Sequence, residues 1–210
     1  MIRFIIMAAV ATLSWATFAA ETNSPSPQAE ANYTKAIEGR TADILKILAL
    51  SDTNKISNVH DIIIAQYRAL NAWHDANDAK LKAARADTNA AAQIRASLTT
   101  LHDEFLAKLG KNLTLEQVDQ VKDKMTYGKV QFTFNGYLSQ YANLSEENKQ
   151  KILELLKEAR EEAMDGGSAE EKTAIFQRYK GKINNYLSKQ GIHPEKKNKT
   201  PQSETNALAK

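Results

Sequence analysis

Cysteine is absent from the 210-residue chain. That excludes disulfides, thiolate nucleophiles, cysteine-bound metals and an acylated N-terminal cysteine. Proline and glycine are scarce, at 4 and 8 residues, so little interrupts a long helix. Neither charge sign dominates, with 28 basic against 25 acidic residues. A mild excess of this kind does not point to nucleic acid. Beyond the N-terminus no apolar run reaches the length needed to span a membrane core of about 30 Å, so no membrane anchor is expected.

What is present begins with an export signal. One basic residue, Arg3, precedes an uncharged apolar stretch from Phe4 to Trp15, followed by the small-residue run Ala16, Thr17, Phe18, Ala19 and Ala20. This order is that of a secretory signal peptide over residues 1–20. The expected product is a soluble, non-lipidated periplasmic or secreted protein. Because small exported eukaryotic domains lean on disulfides, the lack of cysteine favours a bacterial source.

Residues 21–31 carry Ser24, Pro25, Ser26 and Pro27 and read as a flexible leader. Residues 191–210, with Pro194, Lys196, Lys197, Lys199 and Pro201, read as a disordered basic tail. Between them lies one predicted helical domain, 32–190. Apolar residues recur three and four apart almost throughout, predicting helices at 31–49, 52–86, 89–109, 115–126, 131–142, 146–165 and 169–189. The expected fold class is all-α, a multi-helix bundle. Gly110, Gly128, Gly166 and Gly167 fall at joints where a left-handed backbone is expected. Three helix starts share a pattern of Leu, a hydroxyl residue, then an amide three positions on: Leu50, Ser51, Asn54; Leu113, Thr114, Gln117; and Leu144, Ser145, Asn148. Helix capping accounts for these residue types without a binding role, and Thr114 with Gln117 predicts a reciprocal capping box.

Two resemblances follow. Leu113, Thr114, Leu115, Glu116 and Gln117 resemble the LTxxQ signature of Spy/CpxP-type periplasmic chaperones and stress sensors. Over a longer span, Gln66 to Asn71, His74 and Asp75, Val118 to Asp123, Met125 to Gly128 and Tyr179 to Leu187 are similar to an exported bacterial family known only as a domain of unknown function and common in polysaccharide-degrading bacteria. That resemblance implies a helical fold and a periplasmic address, and it assigns no catalytic residue.

Polar residues on predicted core faces are the candidates for chemistry. On the second helix His74 and Asn77 interrupt the apolar stripe of Ile56, Val59, Ile63, Leu70, Leu81 and Ala84, with Tyr67 and Asp78 beside it. His102 borders the core face of the third helix. Arg160 sits within that of the sixth, where a desolvated guanidinium requires a carboxylate; Asp75, Asp78 and Asp165 are the expected partners. One reading joins His74, Asp78, His102, Tyr127 and Arg160, with Tyr67, into a catalytic pocket. His74 is then the general acid or base, and Arg160 binds an anion such as a uronic carboxylate. The plainer reading is an internal network that fixes helix register. His74, Asp78 and His102 also form a minimal metal-ligand set, which no second ligand pair at helical spacing supports.

The stripe of Phe176, Tyr179 and Tyr186 on the last helix reads as core rather than a sugar platform. Gly181 marks a place to look for close approach by a neighbour, and Met125 to Phe134 is the expected loop over a pocket. Serine nucleophile elbows, phosphate-cradling loops and dinucleotide fingerprints are absent, so no cofactor is implied. The leading expectation is a binding or accessory module linked to carbohydrate processing, with an oligosaccharide or an envelope protein as partner. A glycan-acting enzyme and a chaperone or stress sensor are the alternatives.

Overall fold

The computed structural model describes residues 26–141 and 143–195. The proposed signal peptide and the tail beyond residue 195 lie outside the described residues. Seven helices follow one another: α1 (Pro27–Leu48), α2 (Thr53–Ala83), α3 (Thr88–Gly110), α4 (Leu115–Met125), α5 (Lys129–Gln140), α6 (Glu146–Met164) and α7 (Ala169–Lys189), with a 3-10 turn at Ala84–Ala86. The described residues contain no strand, and the all-α expectation holds. No described helix is long and apolar enough to cross a membrane.

Local chemistry sets the helix ends. α1 begins at Pro27, four residues before the expected start. Ser26 accepts a hydrogen bond from the Ala29 N–H, and Pro27 sits in the first turn, where its missing N–H costs nothing. The Ser–Pro pair read as leader is therefore a helix start. α2 is capped by Asp52, which accepts from the N–H groups of Asn54 and Lys55, rather than by Ser51. At α4 the capping box of Thr114 and Gln117 is complete, and Leu113 and Val118 beside it are both buried. Ser145 caps α6. The Asn148 side chain does not close a box there, but accepts from the Tyr186 hydroxyl at 2.9 Å.

The C-terminal end of α7 is a Schellman motif. Ile192 N–H donates to Leu187 O at 2.9 Å and Gly191 N–H to Ser188 O at 3.0 Å, with Gly191 left-handed at φ 71°. Ile192 packs on the core, and Glu195 N–H donates to Gln140 O at 2.9 Å. The first residues of the expected tail are thus docked.

Two apolar clusters form the interior. The first joins α1 to α4 through Ile44, Leu48, Val59, Ile63, Phe105, Leu109, Val121 and Met125, and takes Met164 from α6. The second joins α5, α6 and α7 through Tyr137, Ile152, Leu156, Phe176, Tyr179 and Ile183. Phe176 and Tyr179 are core residues, as their spacing implied. Gly181 has open space where a side chain would stand, so the close approach expected there is absent. α6 packs against α4, α5 and α7 and is the element common to both clusters.

Candidate functional site

Along the seam between the clusters runs a chain of ionisable side chains. Arg160, 4% exposed, donates from Nη1 to Asp123 Oδ1 at 2.8 Å and from Nη2 to Asp119 Oδ1 at 2.9 Å and Glu161 Oε1 at 3.3 Å. Its carboxylates come from α4 and from its own helix, not from Asp75, Asp78 or Asp165. The α4–α6 contact that delivers them is tertiary. The buried Nε of Arg160 has no partner among the described residues. Glu161 accepts from Lys122 Nζ at 2.8 Å and lies 3.7 Å from His102 Nε2. His102 Nδ1 is 3.0 Å from the Asp165 carboxylate. His74 Nε2 donates to the Asp165 backbone oxygen at 2.7 Å, and His74 Nδ1 is 2.9 Å from Asp78 Oδ1.

Both ring nitrogens of His74 therefore face acceptors, which suits an imidazolium. Burial opposes its charge, and the Asp165 carbonyl and Asp78 carboxylate more than compensate, so its pKa is raised. For His102 the hydrogen bond to Asp165 is the main cause of a raised pKa, with burial opposing. Gly167 lies against the His74 ring: a Cβ there would come within 2.7 Å of it. Gly166 is crowded in the same way by Lys172, at 3.1 Å. Close packing, not a left-handed backbone, explains these two glycines, and Gly110 is also outside the left-handed region. Among the described residues no group of three or more His, Asp or Glu is placed to hold a metal ion.

The structure thus joins His74, Asp78 and His102 around Asp165 and links Arg160 to them through Glu161. Tyr67 and Tyr127 belong elsewhere. They line a cleft of about 520 Å³ between α1, α2, α4 and the start of α7, a volume in the range of small-molecule sites. Ile44, Ile47, Met125 and the two tyrosine rings supply apolar wall, while Arg40, Asp43, Asp123, Lys124 and Lys172 supply charge. A smaller hollow of about 80 Å³ adjoins it, and Arg40, Tyr67, Tyr127 and Lys172 line both.

Arg68, Arg160 and Arg178 pair with carboxylates, whereas Arg40 makes no ion pair among the described residues. Its guanidinium lies 5.9 Å from the Tyr67 ring centroid. Burial pushes the Tyr67 hydroxyl up to about 12, so it remains a proton donor. Lys172 is 6% exposed and donates to Ala163 O at 2.7 Å and Met164 O at 3.0 Å. Burial lowers its pKa to about 8, and the Asp165 and Glu171 carboxylates oppose that shift.

Tyr127 occupies this wall in a left-handed conformation, φ 59°, followed by Gly128 at φ 63°. The cause is a second Schellman motif at the end of α4. Gly128 N–H donates to Asp123 O at 2.8 Å and Tyr127 N–H to Lys124 O at 3.1 Å, which puts tyrosine where glycine is usual. The expected loop over a pocket shrinks to the turn of residues 126–128 at the cleft edge.

Arg40 and Lys172 were not among the sequence candidates. Lys172 carried a signal, since with Ile175, Phe176, Tyr179 and Ile183 it completes the buried stripe of α7. Arg40 carried none, because it lies on the solvent-facing side of an amphipathic helix.

Fold and cleft together define an all-α helical bundle with an aromatic-walled, charge-lined recess and an internally paired ionic seam. The chain belongs to the family described as "Protein of unknown function (DUF3826)", which matches residues 34–207. Comparison with curated proteins gives no match.

Proposed function

We propose that the protein is an exported binding or accessory module, periplasmic or secreted, whose cleft takes a small anionic organic molecule, with a uronic sugar or its oligosaccharide as the preferred class. The observation that carries this reading is Arg40, unpaired beside Lys172 above aromatic and aliphatic wall. A carboxylate supplies the missing counter-charge, and a sugar ring suits the faces of Tyr67 and Tyr127. The signal-like N-terminus supports export.

The alternative in which His74 and Arg160 carry catalysis draws less support. Arg160 already has three carboxylate partners, and both nitrogens of His74 are engaged. Capping accounts for the LTxxQ-like segment, which removes the particular support for a chaperone.

Isothermal titration of the chain with glucuronate and galacturonate oligosaccharides, and with neutral oligosaccharides of equal length, tests the reading. Uronates should bind and neutral sugars should bind at least about tenfold more weakly, since a charged hydrogen bond contributes about 1.5–3 kcal/mol. Arg40→Gln should abolish that preference. Absence of heat with every uronate, or an unchanged preference in Arg40→Gln, refutes it. Recovery of the processed chain from the periplasm or medium, with the precursor alone in the cytoplasm, tests export.

A further inference from the structure

We infer that Lys172 is a nucleophile for carbonyl compounds: the cleft takes a small oxo acid, holds its carboxylate on Arg40 and condenses its carbonyl with Lys172 Nζ to form an imine. This rests on the binding reading above and narrows its ligand to molecules that carry both a carbonyl and a carboxylate, such as 2-oxo acids or the open-chain form of a reducing uronate.

Lys172 and Arg40 line both the large cleft and the hollow beside it, with Tyr67 and Tyr127. A neutral amine has two N–H bonds and one lone pair. Both N–H bonds of Lys172 have acceptors, Ala163 O and Met164 O, so the lone pair takes the remaining tetrahedral position, away from those carbonyls. An amine so fixed is preoriented, which favours attack on a carbonyl carbon bound beside it.

Carbonyls at a helix C-terminus favour a cation that keeps its charge. Burial instead lowers this ammonium to about 8, and roughly a tenth of it is then free base at pH 7, against almost none for an ordinary lysine.

The step balances without a redox partner. The Lys172 lone pair forms a C–N bond while the carbonyl π pair moves to oxygen, and one of the two amine protons passes to that oxygen, giving a carbinolamine. Its hydroxyl then leaves as water, taking up a proton, as the nitrogen loses its own. Amine and carbonyl thus yield imine and one water. Tyr67, protonated at neutral pH, is a proton donor within the same lining.

Reductive trapping tests the inference. The full chain is incubated with pyruvate and cyanoborohydride near neutral pH, and labelled lysines are mapped by peptide mass spectrometry. The other lysines serve as internal controls. Lys172 should be labelled far faster than the others. Acetone, which lacks the carboxylate, should label it poorly, and Arg40→Gln should slow the pyruvate reaction by tenfold or more. Lys172→Met should lose the label, but the mapping in the unaltered chain decides even where that variant fails to fold. Labelling of Lys172 no faster than that of surface lysines overturns the proposal, as does equal labelling by acetone. Glucuronate binding without selective trapping overturns the imine alone. A chain that neither binds glucuronate nor traps pyruvate overturns both readings.

Discussion

Replacing Tyr127 by alanine and, separately, by glycine isolates the backbone strain at the cleft. Both changes remove the half-exposed ring (48% exposed) and lose the same contacts. They differ in how the residue tolerates φ 59°. An L-residue in the left-handed region costs about 1–2 kcal/mol, and glycine escapes that cost. Glycine also has more freedom to lose on folding, which offsets about 0.4–1 kcal/mol. The balance favours Tyr127→Gly over Tyr127→Ala by about 1 kcal/mol, or about 2–4 °C in Tm for a chain of this size. This reverses the usual order for a helical segment, where glycine is the less stable by about 0.5–1 kcal/mol. Urea unfolding followed by far-UV circular dichroism gives the difference directly. A Tyr127→Gly midpoint at or below that of Tyr127→Ala refutes the strain argument. Both variants should bind glucuronate more weakly than the unaltered chain, because the same wall of the cleft is missing.

The seam and the glycines give further expectations. Arg160→Met should be milder than the double change Asp119→Asn, Asp123→Asn. The two carboxylate side chains are 49% and 46% exposed and can rehydrate, while the Arg160 side chain, 5% exposed, cannot; equal losses in denaturant unfolding refute the asymmetry, which follows from the cost of leaving a buried charge with Glu161 as its one remaining carboxylate partner. Gly181→Ala should raise stability by about 0.5–1 kcal/mol, since open space surrounds the site. Gly167→Ala should lower it by about 1–3 kcal/mol through its clash with the His74 ring. Loss of stability in the first or no loss in the second would count against the packing. The pH dependence has a definite sign. His74 and His102 have folded pKa values above 6.5, so their stabilisation is complete below 6.5 and is lost as pH rises through the folded values. Thermal unfolding across that window should show a falling Tm, with a shallower fall in His74→Gln; an unchanged slope refutes the role of His74.

Helix existence was legible because it rests on local signals. The apolar period and the Thr114–Gln117 box act within a few residues of where they are read, whereas Gly191, read as the start of the tail, is the cap of α7. Errors arose where two local meanings compete. Ser26 and Pro27 have the composition of a linker and also the chemistry of a cap with proline in the first turn. Ser51 and Asp52 are both competent caps, and only the backbone entry to α2 chooses Asp52. That Arg160 needs carboxylates was readable from burial on an apolar face. Which carboxylates was not, because α4 meets α6 across about forty residues of intervening chain. The cleft was the least legible feature. Two of its charged members, Arg40 and Lys172, come from opposite ends of the sequence, and the tyrosine at its edge depends on a capping motif whose register no local pattern sets.

Seam and cleft meet at two residues. Asp123 accepts from Arg160 and also lines the cleft. Lys172 lines the cleft and is bound to the last carbonyls of α6, one residue before Asp165. Under the proposed binding role, the seam therefore bears on the cleft. By consuming the Asp123 carboxylate within an ion pair, Arg160 reduces the negative field that would repel an anion from Arg40. By fixing the end of α6, His74 and His102 hold the acceptors that orient Lys172. A change at Arg160 should therefore weaken anion binding through Asp123, although Arg160 need not touch the ligand. The same change in an Asp123→Asn background should leave binding almost unaltered, because the charge that Arg160 neutralises is already gone. Additive losses in that double-mutant cycle would mean that seam and cleft act independently.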